Sequence, residues 1–203
     1  MKNIYVRRAR ISEKKFREIV KYFVHDLQAN QISQLTGLSR NSINAYFKAM
    51  RFSIVCRYTQ YTTYNTIQTQ PLQLFVIQVN HNNTITLDPI PAHIAPELFK
   101  AVEEKNSTYI KTVLSAHYCA IINYTYKQYQ YFCEHNSLNQ NEKICQSFWN
   151  YTSTRLTKFR GLSAKHTFIH LKECEFRYNY RNTDIYKLLL THFKQNPLHL
   201  HIE

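Results

Sequence analysis

The sequence predicts an α+β protein, with a three-helix N-terminal head followed by an α/β body that ends in helices. Apolar residues recur at helical spacing through the first 57 residues, whereas residues 72–87 alternate as strands do. Helical spacing returns after residue 144. Hydrophobic residues make up 44% of the 203 residues, which is enough to build a folded core.

The first two helices of the head are predicted over residues 11–26 and 29–36. Ser12 is a suitable N-cap for the first. Gly37 follows the second, where the chain needs a left-handed residue to turn. The inward-facing residues are expected to be Ile11, Phe16, Ile19, Val20 and Phe23 in the first helix, and Ile32 and Leu35 in the second.

A third helix is predicted from a cap at Ser39 to about residue 51, with Leu38 filling the turn before it. Two short helices joined by a tight turn are typical of the helix-turn-helix motif. The pattern buries Ile43, Tyr46 and Phe47 and exposes Arg40, Asn41 and Asn44 near the helix start. Exposed side chains of these types can hydrogen-bond the edges of DNA bases.

The net charge of +13 indicates a polyanionic partner, and its distribution is uneven. Residues 1–57 hold 12 Lys and Arg against 3 Asp and Glu, and residues 143–203 hold 10 against 4. The stretch between them holds 4 against 6. We therefore expect double-stranded DNA as the partner, and the predicted contacts are Arg7, Arg8, Arg10, Lys14, Ser39, Arg40, Asn41, Asn44 and Lys48. A protein-interaction module is the alternative, and it requires an uncharged exposed helix face.

The predicted domains are the head (residues 1–57), an uncharged linker (58–70) and the body (71–203). In the body, strands at 72–80 and 84–87 form a hairpin around a turn at 81–83. A helix is predicted at 96–105, a strand at 109–114, a tyrosine-rich helical or irregular stretch at 118–135, and a polar loop at 136–143. The last helices are predicted at 144–159, 165–178 and 183–195.

Composition excludes several classes of protein. Two glycines cannot build a glycine-rich phosphate loop, which excludes P-loop and Rossmann nucleotide sites. No apolar run reaches the roughly 20 residues of a membrane span, so a cytoplasmic, DNA-associated protein is expected. The five cysteines lack the paired spacing of a zinc site, and we expect reduced, partly buried thiols.

The C-terminal third contains Ser147-Phe148-Trp149, then His166-Thr167-Phe168, then a run from Leu171 to Arg181 that reads LKECEFRYNYR. In this order and spacing, these residues resemble the end of the ISXO-like bacterial transposases, insertion-sequence family 1595. Residues 32–46 resemble the DNA-binding head of that family. The resemblance covers about half of the chain. It implies a reduced RNase-H-like body, in which carboxylates hold divalent metal ions for DNA strand transfer.

The carboxylates that the resemblance requires are missing. No Asp or Glu lies between Asp26 and Asp88, where the first metal ligand belongs. The second position matches Ala116, and the third is matched by Gln146 with Lys143 nearby. We therefore expect a transposase-derived DNA-binding protein without catalytic residues, metal or other cofactor, whose body serves as a scaffold or homodimer surface. An active magnesium-dependent transposase or nuclease is the alternative, and it requires Asp88, Glu97, His117 and Glu142 to converge.

Three other patterns allow more than one interpretation. Glu173 and Glu175 match the family's C-terminal helix, but at least one is expected to pair with Arg177 or Arg181. A solvated tail is favoured over a metal site for His192, His199 and His201. Base stacking and ordinary packing both remain open for the four tyrosines at positions 124, 126, 129 and 131.

Overall fold

The computed structural model describes residues 3–58, 73–114, 118–125, 128–132, 140–159 and 164–200. The chain forms two compact units. The first, here called the N/C unit, combines Met1–Gln60 with Tyr180–Glu203, and the second, the sheet unit, is Tyr61–Asn179. Residues 180–203 therefore belong with the N-terminal helices, whereas they were predicted to be part of the body. The predicted linker lies outside the described residues except for Tyr58.

Four helices build the described part of the N/C unit: α1 (Glu13–Val24), α2 (Ala29–Thr36), α3 (Arg40–Tyr58) and, from the C-terminal region, the helix Ile185–Gln195. The three predicted head helices are confirmed. Ser12 caps α1 by accepting a hydrogen bond from the Lys15 backbone N–H (3.2 Å). Gly37 ends α2 at φ 69°, a left-handed conformation that favours glycine.

Two details of the head prediction are wrong. Leu35 is 61% exposed, and Thr36 is buried in its place. Ile32 and Thr36 are four residues apart and share the inner face of α2, where the Thr36 hydroxyl donates to the Ile32 carbonyl (2.7 Å). α3 also continues to Tyr58 rather than ending near residue 51, because Ile54 and Val55 extend its buried face.

The C-terminal helix joins the N/C unit through aromatic packing. Phe193 is fully buried, and its ring lies 6.1 Å from the ring of Phe16 on α1. Phe16 also contacts Tyr46 of α3 at 6.0 Å. Leu189 and Leu198 are buried as well. This apolar contact explains why the chain end groups with the head.

The sheet unit contains an antiparallel four-stranded sheet in the order β2-β1-β3-β4. Its strands are β1 (Gln73–Val79), β2 (Ile85–Pro89), β3 (Tyr118–Thr125) and β4 (Gln128–Phe132). The predicted hairpin is confirmed, and Asn83 turns the chain at φ 59° between β1 and β2. The prediction for residues 118–135 is wrong over β3 and β4, because β3 pairs with the buried strand β1 and this long-range pairing is not visible in a local pattern.

The described helices of the sheet unit are α4 (Ala95–Glu103), α5 (Ser107–Leu114), α6 (Gln140–Leu156) and α7 (Ala164–Asn179), and the C-terminal helix Ile185–Gln195 becomes α8. The helices predicted at 96–105, 144–159, 165–178 and 183–195 are confirmed. The predicted strand at 109–114 is wrong, because Asn106 starts a helix there. Its side chain accepts from the Tyr109 backbone N–H at 3.1 Å. Residues 140–143, predicted as loop, form the first turn of α6.

Both faces of β1 are covered. Leu74 and Val76 pack in a core that includes Leu98 of α4 and Ile110 of α5. On the other face, the Phe75 ring stacks with Phe168 of α7 at 6.2 Å. The α+β class is therefore confirmed, while the RNase-H-like arrangement stays a prediction. No described helix is long and apolar enough to cross a membrane.

Candidate nucleic-acid interface

Positive charge is concentrated in the N/C unit. It carries 15 Lys and Arg against 5 Asp and Glu, a net charge of +10, whereas the sheet unit carries 11 against 8, or +3. Both chain regions of the N/C unit contribute cations, including Arg181, Lys187 and Lys194 near or on α8. A basic unit of this kind attracts polyanions over a distance of about one Debye length, roughly 8–10 Å in physiological salt.

The start of α3 presents a polar face to solvent. Ser39 caps the helix by accepting from the Ser42 backbone N–H (3.1 Å). The buried face of α3, including Ile43, Tyr46 and Phe47, is held in the core as predicted. Its exposed residues include four of the predicted DNA contacts: Arg40, Asn41, Asn44 and Lys48. Asn41, Asn44 and Lys48 lie at helical spacing on one side, so a single groove of DNA can reach all three.

Residues 3–11 form a closed loop before α1, here called the arginine loop. Arg7, Arg8 and Arg10 are exposed on it. Arg8 has φ 53°, a left-handed conformation that disfavours a residue with a Cβ by about 1–2 kcal/mol. Among the described residues, no ion pair or side-chain hydrogen bond involves these three guanidinium groups. Lys14, in the first turn of α1, is exposed beside the loop.

All nine predicted DNA contacts therefore lie at the surface of the N/C unit, and their role stays a prediction. Two further residues shape this surface, and neither was predicted from the sequence. Arg17 donates to the hydroxyl of Tyr5 (2.8 Å), a residue of the arginine loop. Leu198 hydrogen-bonds with the loop backbone. Only a basic residue at a solvent-facing helix position could have suggested Arg17, and no local signal connects Leu198 with residues almost 200 positions earlier.

His192 is not in a solvated tail, because it is 5% exposed on α8. Its Nε2 lies 2.8 Å from the Ser53 hydroxyl of α3, and its ring packs against Tyr58. Burial lowers the pKa of His192, and nearby Arg57 lowers it further. His199 is exposed, as expected of a tail, and His201 lies outside the described residues.

Acid is therefore expected to destabilise the N/C unit through His192. The unfolded chain binds a proton near pH 6.5, while the folded unit binds it only at a lower pH. The stabilising effect is complete above pH 6.5 and is lost as the pH falls towards the lowered pKa. Thermal unfolding measured between pH 7.5 and pH 5 should show this loss in the wild type and a flatter profile in His192→Gln. Parallel profiles would contradict the assignment.

The two positions that match the family's catalytic carboxylates, Ala116 and Gln146, hold no acidic residue. Ala116 and His117 lie outside the described residues. Gln146 is on α6 and donates to Asn150 (3.0 Å). Among the residues with described positions, no three His, Cys, Asp or Glu side chains group as metal ligands. A two-metal centre needs several converging carboxylates, so the described residues do not fit one.

The acidic residues of the enzyme alternative have other neighbours. Glu97 of α4 accepts from the Tyr109 hydroxyl (2.7 Å). Asp88, near the end of β2, lies 3.7 Å from the ammonium group of Lys172. Glu142 is buried in the first turn of α6. The three described members of this set, Asp88, Glu97 and Glu142, therefore do not group as metal ligands.

Glu173 and Glu175 of α7 belong to a buried ionic cluster. One Glu173 oxygen accepts from Arg155 (2.6 Å) and Arg177 (2.8 Å), which confirms the predicted ion pair. Glu175 accepts from Lys172 (2.7 Å) and from the Leu87 backbone N–H (2.8 Å). Burial raises the pKa of Glu175, and the adjacent ammonium group opposes this rise. These carboxylates neutralise protein cations, so their described role is structural.

The tyrosine and cysteine patterns give little functional information. Tyr124 and Tyr129 are paired positions on neighbouring strands, Tyr131 is on β4, and Tyr126 lies outside the described residues. Of the cysteines with described side chains, Cys145 and Cys174 are buried free thiols and Cys56 is an exposed one. Burial raises the pKa of Cys174, which disfavours the reactive thiolate.

Comparison with known proteins gives one partial similarity. Over 33 residues the chain is 46% identical to an "Uncharacterized transposase-like protein" of Haemophilus influenzae (strain ATCC 51907 / DSM 11121 / KW20 / Rd). The matched segment is 16% of this chain and 27% of that relative, so the chain spans only about a quarter of the relative's length. No family model matches the chain. No solved structure matches it significantly. The similarity suggests a relation to transposases.

Proposed function

We propose that this chain is a transposase-derived protein of insertion-sequence family 1595 that binds double-stranded DNA and has no strand-transfer activity. The observation that carries the proposal is the net charge of +10 on the N/C unit, together with the exposed Arg40, Asn41 and Asn44 at the start of α3. In this proposal α2, the Gly37 turn and α3 act as a helix-turn-helix, and α3 enters the major groove.

Three further observations support the proposal. The partial similarity is to a transposase-like protein. The C-terminal residues resemble the same class, from Ser147-Phe148-Trp149 to the run that contains Glu173. The exposed face of α3 carries Arg40 and Lys48, which favours a DNA-binding role over an interaction module with an uncharged helix face. Such a protein would be found on DNA in a bacterial cytoplasm.

The proposed loss of catalysis rests on the residues at the carboxylate positions. Alanine at 116 cannot coordinate a metal, and the Gln146 side chain carries no charge to neutralise one. No acidic residue precedes Asp88 in the body. The sheet unit then serves as a scaffold, and its buried ionic cluster stabilises that scaffold.

Binding to duplex DNA is expected to depend steeply on salt. Four phosphate contacts from Arg7, Arg8, Arg10 and Lys14 would give a slope of about −3.6 in a plot of log affinity against log salt, which is roughly a 100-fold loss between 50 and 200 mM. The measurement is fluorescence anisotropy with a labelled DNA duplex that carries the terminal sequence of the insertion sequence. Affinity that is independent of salt would contradict the proposal.

Substitutions on α3 and on the arginine loop are expected to differ in kind. Arg40→Ala or Asn41→Ala should weaken the cognate site by about 1–3 kcal/mol and relax sequence preference, because a base contact is lost. Arg8→Ala should weaken cognate and random duplexes equally, since phosphates are the same in both. Competition between the two duplexes measures this difference. If all three variants lose affinity in the same way, α3 does not read the sequence.

A further inference from the structure

Two backbone hydrogen bonds and an isolated β-bridge join the arginine loop to the C-terminal segment of the chain. We infer that the segment around Leu198 is a positioning element, which presents Arg7, Arg8 and Arg10 in a preformed arrangement to the phosphodiester backbone of duplex DNA. The inference deepens the proposed function and rests on it. It gives the residues after α8 a role in binding, although most of them need not touch the DNA.

Backbone contacts join the two chain regions. The Leu198 N–H donates to the Tyr5 carbonyl (2.8 Å), and the Arg7 N–H donates to the Leu198 carbonyl (2.9 Å). Val6 and Leu198 form an isolated parallel β-bridge, and both side chains are buried. The bridge therefore lies immediately before the turn that contains Arg8.

The other end of the loop is also fixed. The Asn3 amide donates to the Ile11 carbonyl (3.2 Å), and its oxygen accepts from the Tyr5 N–H (2.9 Å). The Tyr5 ring stacks on Phe16 with centroids 5.5 Å apart. The loop backbone therefore has three attachments: the Asn3–Ile11 hydrogen bond at its base, the Leu198 contacts at its middle and the buried Tyr5 ring. Its three arginine side chains remain exposed.

The charges of the loop explain why such anchoring matters. Three guanidinium groups within four positions repel one another, and a free segment would separate them. Glu13, the acidic residue that contacts the loop, accepts from the Ile4 backbone N–H (3.0 Å) rather than from an arginine. A preformed loop avoids most of the ordering entropy that binding would otherwise lose. The array therefore gains affinity when its backbone is fixed before DNA arrives.

Two deletions in the full chain test the inference. Removing residues 197–203 takes away the bridge, whereas removing 199–203 keeps Leu198 and serves as the matched control. We expect the first deletion to weaken binding about tenfold on cognate and random duplexes alike, and the second to change it less than twofold. Circular dichroism and thermal unfolding show whether the helices of each variant remain.

A substitution far in sequence from Leu198 protects the test against loss of folding. Asn3→Ala loosens the loop from its base without touching Leu198, and we expect a loss of several-fold in affinity. The same changes are then made in a chain whose three loop arginines are alanine. There, neither the 197–203 deletion nor Asn3→Ala should reduce affinity further, because the loop no longer carries charge.

The possible outcomes separate the inference from the proposed function. If the intact protein does not bind duplex DNA, the proposed function fails. If it binds, but a folded variant without residues 197–203 keeps full affinity, the inference fails and DNA binding stands. Where that deletion does not fold, full affinity in a folded Asn3→Ala variant overturns the inference, because the arginine loop then needs no anchoring. Losses that persist undiminished without the three arginines would also overturn the inference, since they would act through general folding rather than through the loop.

Discussion

Replacing Glu173 with glutamine is expected to lower the free energy of unfolding of the sheet unit by about 3–5 kcal/mol. The substitution keeps the shape of the side chain and removes the charge that neutralises both Arg155 and Arg177. Both guanidinium groups are buried, at 3% and 6% exposure, so water cannot replace the lost carboxylate. Urea unfolding followed by the fluorescence of Trp149, the single tryptophan, measures the change in this unit.

The matched control for Glu173→Gln is Lys100→Ala in the same unit. Lys100 pairs with Glu104 at 3.8 Å, and both side chains are largely exposed. An exposed pair of this kind contributes little, because solvent screens it, so the urea midpoint should not move measurably. If the two substitutions have similar effects, the buried cluster does not stabilise the scaffold.

Replacing Phe193 with alanine is expected to destabilise the N/C unit by about 3–5 kcal/mol and to reduce DNA affinity with it. The ring is fully buried against Phe16, and the substitution leaves a cavity between α1 and α8. Typical domains have a free energy of unfolding of only about 5–15 kcal/mol, so the substitution removes a large part of it. Amide hydrogen exchange in α1 and α8, together with anisotropy on duplex DNA, measures both effects.

Lys194→Ala is the control for this second prediction. Lys194 is the next residue on α8 and is exposed. Removing the Lys194 side chain should leave amide hydrogen exchange in α1 and α8 unchanged. DNA affinity should change only by the effect of losing one positive charge. Normal affinity in a Phe193→Ala variant whose α8 exchanges freely would show that the DNA-binding surface does not need the C-terminal helix.

The local signals in the sequence were sufficient for the head. A cap at Ser12, a left-handed glycine at 37 and repeating apolar residues each depend on neighbours within a few positions, and the structure confirms all three. Leu35 was misplaced because α2 has only eight residues, and a short helix leaves the direction of its inner face poorly defined.

A long-range strand pairing and an unrecognised helix cap explain two further errors. Nothing near residues 118–125 indicates that β3 pairs with β1, and the apolar residues at 109–114 form a helix because Asn106 caps it. The candidate interface followed from charge and from the exposed start of α3. The contribution of Leu198 to it could not be predicted, because that residue meets Tyr5 only in the folded chain.

The split of the N/C unit between two chain regions also affects how the protein is made. Residue 58 ends α3 and residue 185 begins α8. At about 5–20 residues per second, the ribosome adds α8 roughly 6–25 s after α3. During that interval Phe16 lacks its partner Phe193, whereas the sheet unit is contiguous and can fold as it emerges. A nonsense codon or frameshift within the sheet unit would therefore release an incomplete N/C unit. On the proposed function, such a truncated product would bind DNA more weakly than the full-length protein.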